Sequence, residues 1–117
     1  VTERRPWSER SGDWLRKAAH AGLPLLGICY GHQLLADALG GEVGDNPSGR
    51  EMGTVPLELT PAAAADPLFS GLPARFDAQA THLQSVLRAP DGATVLAASA
   101  LDPVHAFRWG DAAWGLQ

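Results

Sequence analysis

Cysteine occurs once in this 117-residue chain, at position 29. An internal disulfide is therefore excluded, and a lone thiol suits a reducing compartment. Basic residues are scarce as well: 9 Lys and Arg stand against 13 Asp and Glu, for a net charge of −4. No basic stripe is left to neutralise phosphates, which excludes a general nucleic-acid binder. Apolar runs fall far short of a membrane span, and the N-terminus lacks a secretory pattern. A cytoplasmic location follows as the expectation, with neither nucleic acid nor membrane as partner. The histidines show no metal-ligand spacing, so neither a metal nor a cofactor is expected. What remains, 45% hydrophobic and 19% charged, is ordinary for one small domain over residues 1–117. The chain opens on polar "VTERRPWSER" without Met and stops at the strand-like "AAWGLQ". These ends suggest a fragment, incomplete on both sides.

Periodicity divides the chain. Residues 8–21, "SERSGDWLRKAAHA", repeat apolar positions at helical spacing, with Ser8 or Ser11 as the expected cap and Gly22 as the stop. "LPLLGI" reads as a buried strand of a parallel sheet covered on both faces. In "CYGHQLLADALGG", Leu34, Leu35, Ala38 and Leu39 share one helical face. "GDNPSGR" has loop chemistry. "MGTVPLELT" alternates like a strand, with Pro56 marking an edge or bulge. "PAAAADPLFSGLP" predicts at most short helical turns, and "ARFDAQATHLQSVLRAP" a strand running into a loop. "ATVLAASA", "VHAFRWG" and "AAWGLQ" are further strands. Helices and strands in this order favour a layered α/β domain.

The backbone around the cysteine carries the chemistry. A strand that becomes a helix through Gly27-Ile28-Cys29-Tyr30-Gly31 has to turn sharply. Glycines two residues either side permit close backbone approach. This is the layout of the G-x-S-x-G nucleophile elbow with sulfur in place of oxygen. Such a turn sets Cys29 at the positive end of the next helix, which favours a thiolate. The N–H of Tyr30 is placed to stabilise an oxyanion. Gln33, one turn on, lies on the same side as the elbow. Against this stands the bland alternative, a cysteine simply buried in an apolar run.

The stretch from Gly27 to Gln33 resembles the nucleophile motif of class I glutamine amidotransferases, G-[IV]-C-x-G-x-Q. "LLADALGGEV", "GREMGTVPLELT", "ATHLQSVLRAPDGATVLAAS" and "AAWGLQ" resemble later segments of that family in the same order. Within the family the chain resembles stand-alone domains similar to the glutaminase part of GMP synthase. The resemblance implies a three-layer αβα, flavodoxin-like α/β fold. It implies that Cys29 attacks the side-chain amide of glutamine, forms a thioester and releases ammonia to a synthetase domain or subunit. Tyr30 would supply one oxyanion-hole N–H and Gln33 would contact the substrate. Thr81, His82 and Leu83 match the turn whose backbone holds the ends of the substrate. An acidic residue is common in the family where Gln84 stands. The family's His-Pro-Glu, which supplies the base, would follow Gln117, so the isolated fragment is expected to be inactive.

The histidines present are weaker candidates for a base. His20 reads as a surface residue. His32 would have to fold back over the sulfur. His82 is the best local candidate to line the pocket, and His105 alternates with Phe107 and Trp109 in a structural role. The four tryptophans read as packing residues. Two rival functions share the same residues: a cysteine hydrolase or γ-glutamyl peptidase, and a non-catalytic binding or regulatory module.

Overall fold

The computed structural model describes all residues, 1–117. Helix α1 (Pro6–His20) is followed by β1 (Leu25–Ile28), α2 (Tyr30–Ala38), β2 (Glu42–Asp45) and β3 (Glu51–Leu59). A short 3-10 helix (Pro61–Ala65) precedes β4 (Arg75–His82), β5 (Gln84–Arg88), β6 (Ala93–Ala98), β7 (Ala106–Trp109) and β8 (Ala113–Leu116). Six strands form a mixed sheet in the order β1-β8-β7-β6-β3-β4, and β2 pairs with β5 in a separate ribbon. The architecture is α/β, as expected.

Three of the expected details are corrected. Helix α1 is not capped by serine: Arg5 is the N-cap, extended, and Pro6 takes the first helical position. Proline loses nothing there, because that N–H has no intrahelical partner. Ser8 instead lies inside the helix, buried, and shares a 2.8 Å hydrogen bond with the Tyr30 hydroxyl. The second correction concerns β1. It pairs in parallel with β8 alone and forms the sheet edge, with the side chains of Leu26 and Ile28 exposed. β1–β8 is also the only parallel pair; every other pairing is antiparallel.

Apolar side chains pack on both faces of the sheet. One cluster joins Ala19, Leu35 and Ala36 of the helices to Phe107, Ala113 and Val86. The opposite cluster joins Ala63 and Phe69 to Leu96, Ala97 and Ala106. Alternation along the strands explains the division: Phe107 and Ala106 are neighbours that point to opposite faces. Burying side chains such as Phe107, Leu35 and Leu96 contributes about 1.5–3 kcal/mol each. Trp114 lies half-buried on the second face, where its indole N–H reaches the buried Asp66 carboxylate. Trp7 and Trp14, by contrast, are more than half exposed, so packing accounts for only part of the tryptophan content.

Between β4 and β5 the chain switches sheets across a single residue, Leu83. The region expected to be a loop after His82 is therefore a second strand, paired antiparallel with β2. Pro56 lies where β3 pairs with β4 but not with β6, consistent with an edge position.

Candidate functional site

Cys29 stands at the junction of β1 and α2, exposed, with φ 56° and ψ −107°. A positive φ is sparsely populated for any residue with a side chain and costs about 1–3 kcal/mol. The surroundings enforce it. The N–H of Cys29 donates to Leu116 O at 2.8 Å, and its own carbonyl accepts from the Gln33 N–H at 3.3 Å. The strain is thus fixed between the end of β8 and the first turn of α2. Gly27 makes the turn possible: a Cβ there would fall on the Gly31 carbonyl oxygen and lie 2.6 Å from its carbon. Gly31 is different, since a Cβ on it would meet nothing within 4 Å.

β1 and β8 run in parallel, and both end at the elbow. Sites in α/β sheets form at such carboxyl ends. The helix that begins there carries no side-chain cap, and the amide of Tyr30 precedes its first intrahelical bond. The side chain of Tyr30 stacks on Trp7 at 5.5 Å between ring centres. A groove lined by Arg5, Trp7, Tyr30, Asp45, Leu83 and Gln84 opens beside the elbow. The larger depression along the β3–β4 arm contains none of the expected site residues.

Gln33 is buried, and its amide donates to Gln84 O at 2.9 Å and to Gln117 Oε1 at 3.0 Å. Both of its N–H donors are thereby taken. Gln117 in turn places its own amide nitrogen 4.0 Å from Cys29 Sγ. Gln33 thus ties α2 to the turn after His82 and to the end of β8. In that turn Thr81 and Leu83 are exposed, and the Leu83 carbonyl accepts the N–H of Asn46 at 2.9 Å. Just after this segment, the backbone carbonyl of Gln84 is joined to the elbow helix through Gln33. The imidazole of His82 is not open to the site. It is buried, with Nδ1 2.8 Å from Gln84 O and Nε2 2.8 Å from Glu51 Oε1.

His82 belongs to a cluster that sequence spacing did not reveal. Glu51, His82, Asp102 and His105 are all buried, and their polar atoms lie within 4.8 Å of one another. His105 Nε2 is 2.8 Å from the same Glu51 oxygen, and Ser99 Oγ donates to the other oxygen. Burial by itself would push the Glu51 carboxyl up, but hydrogen bonds from Ser99, His82 and His105 outweigh it and hold the group below the ordinary carboxylate range. Asp102 goes the other way: burial pushes its carboxyl up, against the Val104 N–H that Oδ1 accepts. Its Oδ2 has no hydrogen-bond partner. The structural role expected for His105 on the β7 face becomes a place in this polar cluster, just ahead of the strand.

His32 does not fold back over Cys29. Its ring is fully buried, with Nε2 3.0 Å from Val104 O and its centre 5.2 Å from that of Phe107. Gly115 leaves room for it, since a Cβ there would lie 2.6 Å from both His32 Nδ1 and Phe107 Cε1. Burial lowers the pKa of His32 to about 4, with the Val104 and Gly115 backbones opposing. The unfolded chain binds a proton at this residue below the ordinary 6.5, whereas the folded protein stays neutral down to about 4. In that window the unfolded state holds more protons, so stability falls as the pH drops, by up to about 3 kcal/mol. Urea unfolding at about pH 7 and pH 4.5 tests this linkage. A His32→Gln variant is expected to lose less stability between the two conditions than the wild type; an equal loss in both would refute the assignment. His20, at the other extreme, is exposed, as its helical position suggested.

A lone exposed cysteine on a strained strand-to-helix turn, at the carboxyl end of a parallel strand pair, gives this α/β domain the geometry of a nucleophile elbow. The family model described as glutamine amidotransferase class-I matches residues 4–117, and the chain belongs to that family. It is 43% identical to the glutamine-hydrolyzing GMP synthase of Aeropyrum pernix over 89% of this chain and 20% of that protein. It is 37% identical to a subunit of the glutamine-hydrolyzing GMP synthase of Methanothermobacter thermautotrophicus, over 91% of this chain and 55% of that subunit. The crystal structure of a glutamine amidotransferase from Thermotoga maritima superposes with a TM-score of 0.88 at 28% identity, covering 98% of this chain and 48% of that one. The chain therefore spans only part of the length of these relatives. No helix is long and apolar enough to cross a membrane.

Proposed function

We propose that the intact protein is a glutamine amidotransferase in which Cys29 attacks the side-chain amide of glutamine. The observation that carries this reading is the exposed cysteine held at φ 56° on the first turn of α2. The sulfur adds to the amide carbon, and the oxyanion is met by the N–H of Tyr30. Collapse of the adduct breaks the C–N bond; the nitrogen leaves as ammonia once it has taken up a proton. Water then adds to the thioester, frees glutamate and regenerates the thiol. The proton for ammonia requires a positioned acid. His82 cannot supply it from here, because both its nitrogens are engaged in the buried cluster.

Gln33 and the backbone of Thr81, His82 and Leu83 are the proposed glutamine-holding elements. With the Gln33 N–H donors occupied, its carbonyl oxygen is the atom left to receive the substrate. A synthetase domain or subunit is the proposed acceptor of the ammonia, in keeping with the names of the GMP synthase relatives. The proposed setting is the cytoplasm, where a single exposed thiol stays reduced.

Substrate choice provides the test. The intact protein should release ammonia from free glutamine and act poorly on γ-glutamyl amides with bulky leaving groups. The reverse preference would favour a γ-glutamyl peptidase, and no turnover of either would favour a binding module.

A further inference from the structure

Glu51 is not among the expected site residues, yet its side chain is buried, 3% exposed. One oxygen accepts from Ser99, and the other faces the Nε2 atoms of both His82 and His105 at 2.8 Å. His82 passes the constraint on. A carbonyl can only accept, so the His82 Nδ1 donates to Gln84 O, and that same carbonyl accepts the amide of Gln33. The contact between Nε2 and Glu51 then holds a second shared proton. Gln33 continues the chain through Gln117 to the neighbourhood of Cys29. The hydrogen-bonded path therefore runs from β3 through the β4–β5 turn to α2 and the end of β8.

A bound cation is a poorer account of the cluster. Tetrahedral ligands about 2.0–2.1 Å from a metal stand about 3.3 Å from one another. The 2.8 Å contacts of Glu51 with both imidazoles are hydrogen-bond lengths instead.

We infer that Glu51 is a positioning residue: through His82 it fixes the Gln84 carbonyl, and so the place of Gln33 beside Cys29. The inference rests on the reading of Gln33 as a glutamine contact. It distinguishes hydrogen bonding from charge. In Glu51→Gln the amide nitrogen can donate to both imidazoles while the amide oxygen accepts from Ser99, so the path is kept without the carboxylate. In Glu51→Leu all three bonds are lost.

The test uses the intact protein, with thermal melting to establish that each variant folds. In Glu51→Leu the KM for glutamine is expected to rise about 10-fold while kcat changes less than about 3-fold; Glu51→Gln should restore KM toward the wild-type value. Side-chain amide NMR of Gln33 supplies a readout independent of turnover. Its resonances should move toward those of a free amide in Glu51→Leu and stay in place in Glu51→Gln. If Glu51→Leu does not fold, Ser99→Ala decides, with a smaller change in the same direction. Unchanged KM and unchanged Gln33 resonances would overturn the proposal, as would a Glu51→Gln variant as impaired as Glu51→Leu. Failure of the glutamine reading would show separately, as no hydrolysis by the wild type, while the Gln33 resonances would still report on the Glu51 path.

Discussion

Replacing Cys29 by alanine in the intact protein is expected to lower glutamine hydrolysis by roughly four or more orders of magnitude, with little loss of fold stability. The size of the effect follows from the chemistry. Without sulfur no thioester forms, and what is left is the contribution of substrate binding and the oxyanion site to direct attack by water. The small stability effect follows from exposure: the side chain lies in solvent and caps nothing in α2. Alanine does inherit the positive φ, so the strain of the turn remains. Cys29→Ser separates geometry from nucleophilicity. The hydroxyl occupies the same elbow but is a weak nucleophile at neutral pH, so roughly three orders of magnitude should still be lost. Ammonia release under saturating glutamine measures both variants. Activity in Cys29→Ala equal to wild type would end the amidotransferase reading.

Gly27→Ala is expected to be the most damaging small substitution at the elbow, although position 27 does no chemistry. Its added methyl would run into backbone, the Gly31 carbonyl, and would come within 3.1 Å of the His32 nitrogen. Backbone cannot rotate out of the way as a side-chain tip can. Either β1 or the first turn of α2 has to move, at a cost of about 1–3 kcal/mol. A displacement near 1 Å of the sulfur lowers turnover by about 100-fold. Gly31→Ala is the matched comparison. Its methyl would meet open space, and the residue lies in the helix, where alanine is favoured over glycine by about 1 kcal/mol. Denaturant unfolding together with glutamine turnover distinguishes the pair. Equal behaviour of the two variants would show that close approach at Gly27 does not shape the turn.

The contrast between those glycines shows how far local pattern reaches. Both were marked by the spacing around Cys29, and both read as sites of close approach. Only Gly27 has that role, because what occupies the space beside a glycine is decided by the path of the chain and not by its neighbours in sequence. The same holds for β1. Its run of leucine and isoleucine implied a strand covered on both faces, but apolar composition does not state which face is covered. Here Leu26 and Ile28 are exposed on an edge strand. The strand after His82 escaped notice for a related reason, since a turn of one residue at Leu83 leaves no glycine or proline signal.

The elbow was legible because its determinants are short-range: a strand, a glycine, a cysteine and a helix within a few residues. The resemblance to amidotransferases is most specific on that same continuous stretch, and the later segments add to it by their order. The cluster around Glu51 was not legible. Glu51 contributes from β3, His82 from the end of β4, and Asp102 and His105 from the segment before β7, and no spacing rule links them. A single signal was available, the acidic residue that opens β3, and by itself it reads as a solvated end. Sequence alone marked Cys29, the turn that presents it and the α/β class, since each follows from local backbone and side-chain preference. Tertiary structure alone decided that His82 faces inward, that Gln33 is already hydrogen-bonded and that Glu51 organises both. Those outcomes depend on which strands pair, and hence on which buried polar groups must satisfy one another out of reach of water.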